Sequence, residues 1–252
     1  MSAPRFPRLR VFVAARLSRE GAAGLHLSVG LLLLMLGAWL FGALASDVVA
    51  GRAITVLDSE LAQRWHHHGA ALNRFMLLIT HLHGTVGVNL MALLAAIHFY
   101  RRKALYWLAA LVLAVPGGML VNVMLKYIFQ RARPSFDDPL LTLATYSFPS
   151  GHTSGAAMLY GLLAAYLVVN GKGWWVRTGA VLLACAMVTL VGLSRMVLGA
   201  HYLSDVLAGA IEAVCWLAIC ITAVSCLRRR RDEPLETNRG AGNQAHRSYH
   251  QR

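Results

Sequence analysis

Three short polar segments in the second half of the chain carry residue types that could transfer a phosphoryl group. The segments contain Lys126 with Arg133-Pro134, then Pro149-Ser150-Gly151-His152, and then Ser194-Arg195 with His201 and Asp205. Fixed cations and backbone N–H groups stabilise the negative charge of a phosphoryl group in its transition state, and a histidine can serve as the nucleophile. The pattern therefore predicts an anion site at which a phosphohistidine can form.

His201 and Asp205 are spaced to act as a pair. They lie four residues apart, so on a helix their side chains share one face. A carboxylate on one ring nitrogen selects the tautomer and leaves the other nitrogen free to attack. A carboxylate about one turn inside an apolar segment costs a few kcal/mol unless it is paired, which favours a functional role for Asp205.

The other two segments each admit a functional and an ordinary interpretation. Lys126 and Arg133 can converge on one anion, but Lys126 could instead extend to the lipid headgroups from its helix end. Ser150 is a candidate N-cap, Gly151 allows close approach of a ligand, and His152 would lie at the positive end of a helix dipole. The alternative is a capped helix start with an interfacial histidine.

The elements that must position these residues are membrane-spanning helices. The chain is 57% hydrophobic and only 14% charged, with a mean hydropathy of +0.54. Stretches of about 20 apolar residues cross a hydrocarbon layer about 30 Å thick. We predict an all-α bundle of six such helices, at Leu25 to Ser46, Phe75 to Tyr100, Ala104 to Lys126, Thr153 to Val169, Val176 to Leu198 and Tyr202 to Leu227.

The distribution of basic residues predicts the orientation of the bundle. Clusters at Arg101 to Lys103 and Arg228 to Arg231 mark short cytoplasmic segments, so both termini are expected in the cytoplasm and the three polar segments on the outer side. The net charge of +13 is explained by this topology and by attraction to anionic headgroups. The basic residues form no single stripe or recognition motif, which argues against a nucleic-acid partner.

Three regions follow from this pattern. Residues 1–24 form a basic cytoplasmic segment, residues 25–227 the membrane domain, and residues 228–252 a basic tail expected to be disordered. The first apolar stretch is longer than the core of a signal peptide, so we interpret it as a retained anchor, with cleavage as the alternative.

Together, the segments KYIFQRARP, SFPSGHT and SRMVLGAHYLSD resemble the signature of the type 2 phosphatidic acid phosphatase superfamily. Membrane members of that superfamily share a catalytic core with vanadium haloperoxidases and bacterial acid phosphatases. The resemblance in motifs runs from Lys126 to Asp205, and the two tails lie outside it.

The resemblance implies a role for each motif residue and no metal or other cofactor. His201 would be the nucleophile, Asp205 would orient it, and His152 would be the general acid that protonates the leaving oxygen. The implied phosphate-binding groups are Lys126, Arg133, Ser150, Gly151 and Arg195.

Other polar residues could shape the substrate entrance. Asn122 shares a helix face with Lys126, and Glu212 lies two turns beyond Asp205. His81 and His83 fall early in the second span, and one of them could line the lipid entrance. Packing or hydrogen bonds between helices are the alternative for each of them.

Two features of the first outer loop are also suggestive. His66, His67 and His68 invite a metal interpretation, but three consecutive side chains cannot all point at one ion, and their role stays open. The spaced apolar residues of Gly51 to Arg74 predict an amphipathic helix that covers the site.

The expected function is hydrolysis of a phosphorylated membrane lipid in a bacterial inner membrane. The resemblance implies candidates that include undecaprenyl diphosphate, phosphatidylglycerol phosphate, phosphatidate and a lipid A phosphate. A phosphotransferase that uses the same site and a transporter or scaffold without turnover are the alternatives. The sequence leaves open which lipid is used and whether the chain acts alone.

Overall fold

The computed structural model of the chain describes residues 25–66, 69–137, 140–141 and 143–249. All regular secondary structure in these residues is helical. The helices are α1 Leu25–Val49, α2 Ala53–His66, α3 Ala70–Leu82, α4 Thr85–Arg101, α5 Leu105–Phe129, α6 Gly151–Asn170, α7 Trp174–Val197 and α8 Leu203–Tyr249. The basic segment 1–24, His67 and His68 lie outside the described residues, as does the side chain of His66.

Five described helices are long and apolar enough to cross a membrane. They fall in α1, α5, α6, α7 and the part of α8 that ends at Leu227, where the sequence predicts spans. The predicted second span from Phe75 to Tyr100 is not one continuous helix, because α3 and α4 meet at a bend of 52°. The break falls at Gly84, whose backbone is extended, and glycine is a poor residue for a helix interior.

Helix α6 lies at the centre of the bundle. It packs against α5, α7 and α8, and half of its span is buried, compared with 11% for α1. Met158, Leu159 and Leu162 of α6 are fully buried against Leu111 and Val115 of α5. The central helix is therefore held firmly, and its first residues belong to the second polar segment.

The end of the bundle where α5 ends and α6 begins is called the site end below. Helix α2 contacts α1, α7 and α8, and its Asp58 is buried. The predicted amphipathic helix over Gly51 to Arg74 is in fact two helices, α2 and the start of α3. At the other end of the chain, α8 continues to Tyr249, although the sequence predicts a disordered tail from residue 228.

Two glycines allow the backbone segments of the site end to approach each other. Gly199, in the turn between α7 and α8, has a φ of +67°, a conformation that glycine adopts without strain. Gly209 of α8 lies against Ser150, and a Cβ atom at this glycine would be only 2.5 Å from the Ser150 carbonyl oxygen. Close contact between α8 and the start of α6 brings the second and third polar segments together.

Candidate active site

His201 is buried in the turn between α7 and α8, and both of its ring nitrogens have partners. Its Nδ1 lies 3.3 Å from Oδ2 of Asp205, and its Nε2 lies 3.1 Å from Nη1 of Arg133. Because Arg133 can only donate, Nε2 accepts, and the proton of the neutral ring is on Nδ1. The predicted pair of His201 and Asp205 is therefore formed, with the tautomer that leaves the Nε2 lone pair available for attack.

Burial lowers the pKa of His201 to about 3. Asp205 opposes this shift, whereas the positive charges of Arg195 and Lys126 add to it. A histidine with this pKa is neutral at physiological pH, which is the form that a nucleophile requires.

Asp205 is fully buried in the first turn of α8 and accepts several hydrogen bonds. Its Oδ2 accepts from the Tyr202 backbone N–H at 2.9 Å and from the Ser147 hydroxyl, in addition to its contact with His201. Its Oδ1 accepts from Arg131 at 2.6 Å. These partners hold the carboxylate in one orientation beside the imidazole.

Arg133 lies between His201 and the segment that precedes α6. Its guanidinium donates to the carbonyl oxygens of Thr145 at 2.6 Å, Tyr146 at 3.1 Å and Ala200 at 2.7 Å. These bonds fix the guanidinium at the Nε2 side of the imidazole. A phosphoryl group in front of Nε2 would therefore meet a positive charge in a fixed position.

Lys126 is buried near the end of α5 and binds backbone carbonyl groups. Its Nζ donates to Tyr146 at 2.8 Å, to Ser147 at 3.2 Å and to Pro149 at 2.7 Å. The alternative that it extends to the headgroups is not what the structure shows. Lys126 holds the chain that leads into α6, and it also lines the cavity beside His201.

Arg195, near the end of α7, is almost completely buried. Its Nη1 donates to the hydroxyl of Thr80 in α3, and its Nε has no hydrogen-bond partner among the described residues. A buried guanidinium with an unused N–H is costly unless an anion completes its bonds. The predicted role of Arg195 in binding phosphate is compatible with this geometry.

Ser150 is the N-cap residue of α6, as predicted, but its side chain does not cap the helix. Its hydroxyl accepts a hydrogen bond from Thr153 at 3.0 Å. The N–H groups of a first helical turn have no intrahelical acceptor, so they can bind an anion. His152 lies in this turn and makes no side-chain hydrogen bond to a described residue, which leaves its ring able to exchange a proton with a ligand.

Six of the eight predicted catalytic and phosphate-binding residues line one cavity of about 210 Å³, whereas Asp205 and Ser150 lie outside its wall. Its polar wall contains the following six residues: Lys126, Arg133, Gly151, His152, Arg195 and His201, the candidate nucleophile. Its apolar wall is formed by Val88, Met119 and Val123 of α4 and α5. The cavity therefore has positively charged residues on one side and the apolar surface of membrane-spanning helices on the other.

The predicted entrance residues are placed differently from one another. Asn122 lines the cavity and donates to Oε2 of Glu212 at 2.7 Å, so Glu212 lies behind it and is buried. His81 is exposed and bonds to the Leu77 carbonyl oxygen, and it is not a lining residue. His83, the other histidine of this pair, does line the cavity, and its Nε2 lies 2.7 Å from the Tyr160 hydroxyl oxygen.

Sequence reasoning missed four residues that contact the site. Ser147 lies inside the second segment and Arg131 lies two residues before Arg133, so both were within reach of a motif-based analysis. Thr80 and Asp58 come from distant helices and carry no local signal. Within the part of the chain that the structure describes, no three His, Cys, Asp or Glu side chains are grouped to hold a metal ion.

Several known proteins are similar to this chain in sequence. The profile of the PAP2 superfamily matches residues 103–229. The chain is 36% identical over 163 residues to phosphatidylglycerophosphatase B of Bacillus subtilis (strain 168), which covers 64% of this chain and 76% of that protein. It is 33% identical over 122 residues to lipid A 1-phosphatase of Rhizobium johnstonii, over 43% of this chain and 46% of that protein.

A solved structure shares the fold. The crystal structure of the first transmembrane PAP2 type phosphatidylglycerolphosphate phosphatase from Bacillus subtilis superimposes with a TM-score of 0.65 and 27% identity, over 78% of this chain and 96% of that one. The fold and these similarities define the class as that of integral membrane lipid phosphatases, which are hydrolases. The chain belongs to the PAP2 superfamily, which confirms the resemblance seen in the sequence.

Proposed function

We propose that the chain hydrolyses a phosphorylated membrane lipid in two steps, through a phosphohistidine at His201 and without a metal ion. The observation that carries this proposal is the state of His201. The ring is neutral and buried, its Nδ1 is bonded to Asp205, and its Nε2 is directed at Arg133 in the cationic cavity.

In the first step, the Nε2 lone pair of His201 attacks phosphorus and the bond from phosphorus to the lipid oxygen breaks. The negative charge of the bound phosphate favours the protonated form of His152, which gives its proton to the departing oxygen. The imidazole gains positive charge as the P–N bond forms, and Asp205 stabilises that charge through Nδ1–H.

In the second step, water attacks the phosphohistidine. His152, now neutral, takes a proton from the water as the new P–O bond forms. The P–N bond breaks, its electron pair returns to Nε2, and inorganic phosphate leaves. Both histidines are then in their starting states.

Arg133 links binding to attack. It donates to the Nε2 atom that must attack, at 3.1 Å. Phosphoryl oxygens carry negative charge and are stronger acceptors than a neutral ring nitrogen. Phosphate binding therefore draws the Arg133 N–H to the substrate and frees the lone pair. Arg195, Lys126 and the N–H groups of α6 supply further positive charge, which is the role that metal ions take in other phosphoryl transfers.

The apolar wall of the cavity favours a lipid substrate. Val88, Met119 and Val123 can contact acyl chains while the phosphate lies at the cationic wall. Phosphatidylglycerol phosphate is the first candidate, because the relative that matches over 76% of its length is a phosphatidylglycerophosphatase. Phosphatidate, a lipid A phosphate and undecaprenyl diphosphate are the others to test.

The orientation in the membrane is part of the proposal. We expect both termini in the cytoplasm and the site at the outer surface, and the basic clusters support this orientation. A fluorescent protein that folds only in the cytoplasm, fused after residue 252, is expected to fluoresce. If that fusion does not fluoresce, and a reporter that works only outside the cytoplasm is active at the same position, the orientation is the opposite of the one proposed.

The function is tested by inorganic phosphate release from the four lipids in detergent with EDTA present. We expect release by the wild type and by His98→Gln, an exposed histidine of α4 that lies outside the cavity. His201→Ala should abolish release. A base-stable, acid-labile label on the wild type after a short reaction with a ³²P-labelled lipid would identify the phosphohistidine.

Other outcomes point to the alternatives. Loss of phosphate from the lipid without inorganic phosphate release, and dependent on an acceptor, would indicate a phosphotransferase. Turnover that EDTA removes would contradict the metal-free mechanism. No turnover of any lipid, or equal turnover in His201→Ala, would contradict the proposal and favour a transporter or scaffold.

A further inference from the structure

A second group of charged residues lies behind the nucleophile. Arg131 donates from Nη1 to Asp205 Oδ1 at 2.6 Å and from Nη2 to Asp58 Oδ2 at 2.8 Å. Asp58 belongs to α2, 73 residues away in the chain, and is only 1% exposed. Neither Arg131 nor Asp58 lines the cavity, so neither is placed to contact the substrate.

The two oxygens of the Asp205 carboxylate have separate partners. Oδ2 faces His201 at 3.3 Å and accepts from Ser147 and the Tyr202 N–H, while Oδ1 accepts from Arg131. The terminal torsion of an aspartate is soft, so a carboxylate bonded on one side only can rotate. Arg131 opposes that rotation and keeps Oδ2 directed at the imidazole.

Arg131 is itself held on several sides. Its guanidinium carbon lies 4.3 Å from the centre of the Tyr202 ring, and its Nη1 donates to the Ser204 hydroxyl at 2.6 Å. That hydroxyl in turn donates to Asp58 at 2.5 Å, and the Ser204 N–H donates to Asp58 at 3.0 Å. The Asp58 carboxylate therefore fixes both Arg131 and the start of α8, where Asp205 lies.

We propose that Arg131 and Asp58 are positioning residues for the nucleophile, acting through Asp205. This proposal rests on the proposed function, because it assigns them to the orientation of His201. It makes α2, which the three motifs do not include, part of the reaction centre. Removal of Arg131 leaves the Asp205 carboxylate held through Oδ2 alone, and removal of Asp58 weakens the hold on Arg131. In both cases Asp205 is less firmly oriented against Nδ1, which disfavours the tautomer and ring position needed for attack.

The chain offers a matched control. Asp47 and Arg52 form an ion pair of the same residue types at 2.7 Å near the site end, with side chains 41% and 62% exposed. The test compares Arg131→Gln and Asp58→Asn with Arg52→Gln and Asp47→Asn. We expect kcat to fall about 10- to 100-fold in the first two variants, with KM within about twofold of the wild type. Arg131→Lys should restore part of kcat, because it keeps one charged contact.

A second measurement needs no turnover. The ¹⁵N spectrum of the His201 ring in the substrate-free protein reports its tautomer and hydrogen bonding, and the signal is assigned by its loss in His201→Gln. We expect the signal to move in Arg131→Gln and in Asp58→Asn and to stay in place in Arg52→Gln. If the wild type turns over no lipid, the proposed function fails while this spectrum still tests the positioning role.

Two results would overturn the proposal. One is an unchanged kcat and ring spectrum in Arg131→Gln and Asp58→Asn. The other is a loss of kcat that only follows the loss of folded protein, measured by size-exclusion chromatography, with the remaining fraction showing the wild-type spectrum. If Arg131→Gln does not fold, Asp58→Asn and Arg131→Lys decide the question by the same two readouts.

Discussion

His201 shows how burial and a carboxylate can act in opposite directions on one residue. Burial disfavours the protonated ring and lowers its pKa, whereas Asp205 favours the protonated ring and raises its pKa. The effect of burial is the larger of the two. The same carboxylate still selects the tautomer, because its contact is with Nδ1. The outcome is a ring that is neutral before the reaction and whose positive charge is stabilised during it.

The pKa of His201 leads to a prediction about pH. A pKa of about 3 means that the ring is deprotonated at every pH well above that value and gains its proton only below it. The His201 ring signal in ¹⁵N spectra should therefore not titrate between about pH 5 and 8, where unperturbed histidines change charge. A titration midpoint within that range would contradict this prediction. The signal that disappears in His201→Gln provides the assignment.

The proposed role of His152 predicts a dependence on the leaving group. His152→Ala should lower kcat for a lipid phosphate by about 10²- to 10⁴-fold, because no acid protonates the departing oxygen. Phosphohistidine formation from p-nitrophenyl phosphate should fall far less, because nitrophenolate leaves without a proton. Single-turnover labelling measures this step. Equal losses with both substrates would contradict the role as general acid.

At the scale of elements, the start of α6 is held from two directions. Lys126 of α5 binds the carbonyl oxygens of Tyr146, Ser147 and Pro149, and the Ser150 N–H donates to the Asp205 carbonyl oxygen at 2.9 Å. The sequence predicted Lys126 as a phosphate ligand, and that role stays a prediction. Its structural role is to fix the chain that carries Ser150 and His152.

Close packing of α8 on this chain predicts the effect of a single methyl group. Gly209→Ala would place Cβ 2.5 Å from the Ser150 carbonyl oxygen, so one of the two segments must shift. We expect a loss of about 1–3 kcal/mol in stability and a lower kcat. Gly42→Ala in α1 is the matched control, because a Cβ atom there meets nothing within 4 Å.

Thermal unfolding in detergent and phosphate release measure the two effects of Gly209→Ala. The Gly42→Ala variant should keep the wild-type kcat and a melting temperature at or above that of the wild type, since alanine favours helix more than glycine does. Equal behaviour of the two variants would show that the contact with Ser150 does not constrain the site.

At the scale of the whole molecule, the cavity lies where α4, α5 and α6 meet. Val123 is on its apolar wall and is also 48% exposed on the outer surface of α5. A lipid that reaches the cationic wall from the membrane would pass this residue. A small soluble phosphate ester has no need of the same path.

This arrangement predicts a selective block. Val123→Trp should lower kcat/KM for a long-chain lipid phosphate by about tenfold or more, which is equivalent to about 1.4 kcal/mol. The value of kcat/KM for p-nitrophenyl phosphate should not change. Val112→Trp is the control, because Val112 is exposed on the same helix and does not line the cavity. Equal losses for both substrates would argue that Val123 affects the site itself.

Much of this molecule could be predicted from the sequence. The apolar stretches predict the spans, because a membrane imposes a length on any helix that crosses it. The charged and histidine residues at the ends of those stretches predict the site, because ionisable groups at such positions are costly unless they are used. His152, His201, Arg133 and Arg195 do line one cavity.

The distant side chains that support that site could not be predicted, because they meet only in the folded bundle. Of His81 and His83, His83 is the one that lines the cavity, and the position of α2 places Asp58 on Arg131. Such contacts depend on the rotation and tilt of each helix, which are set by packing against its neighbours. A sequence determines which residues a helix contains, but the meeting of side chains 73 positions apart follows from how the helices pack.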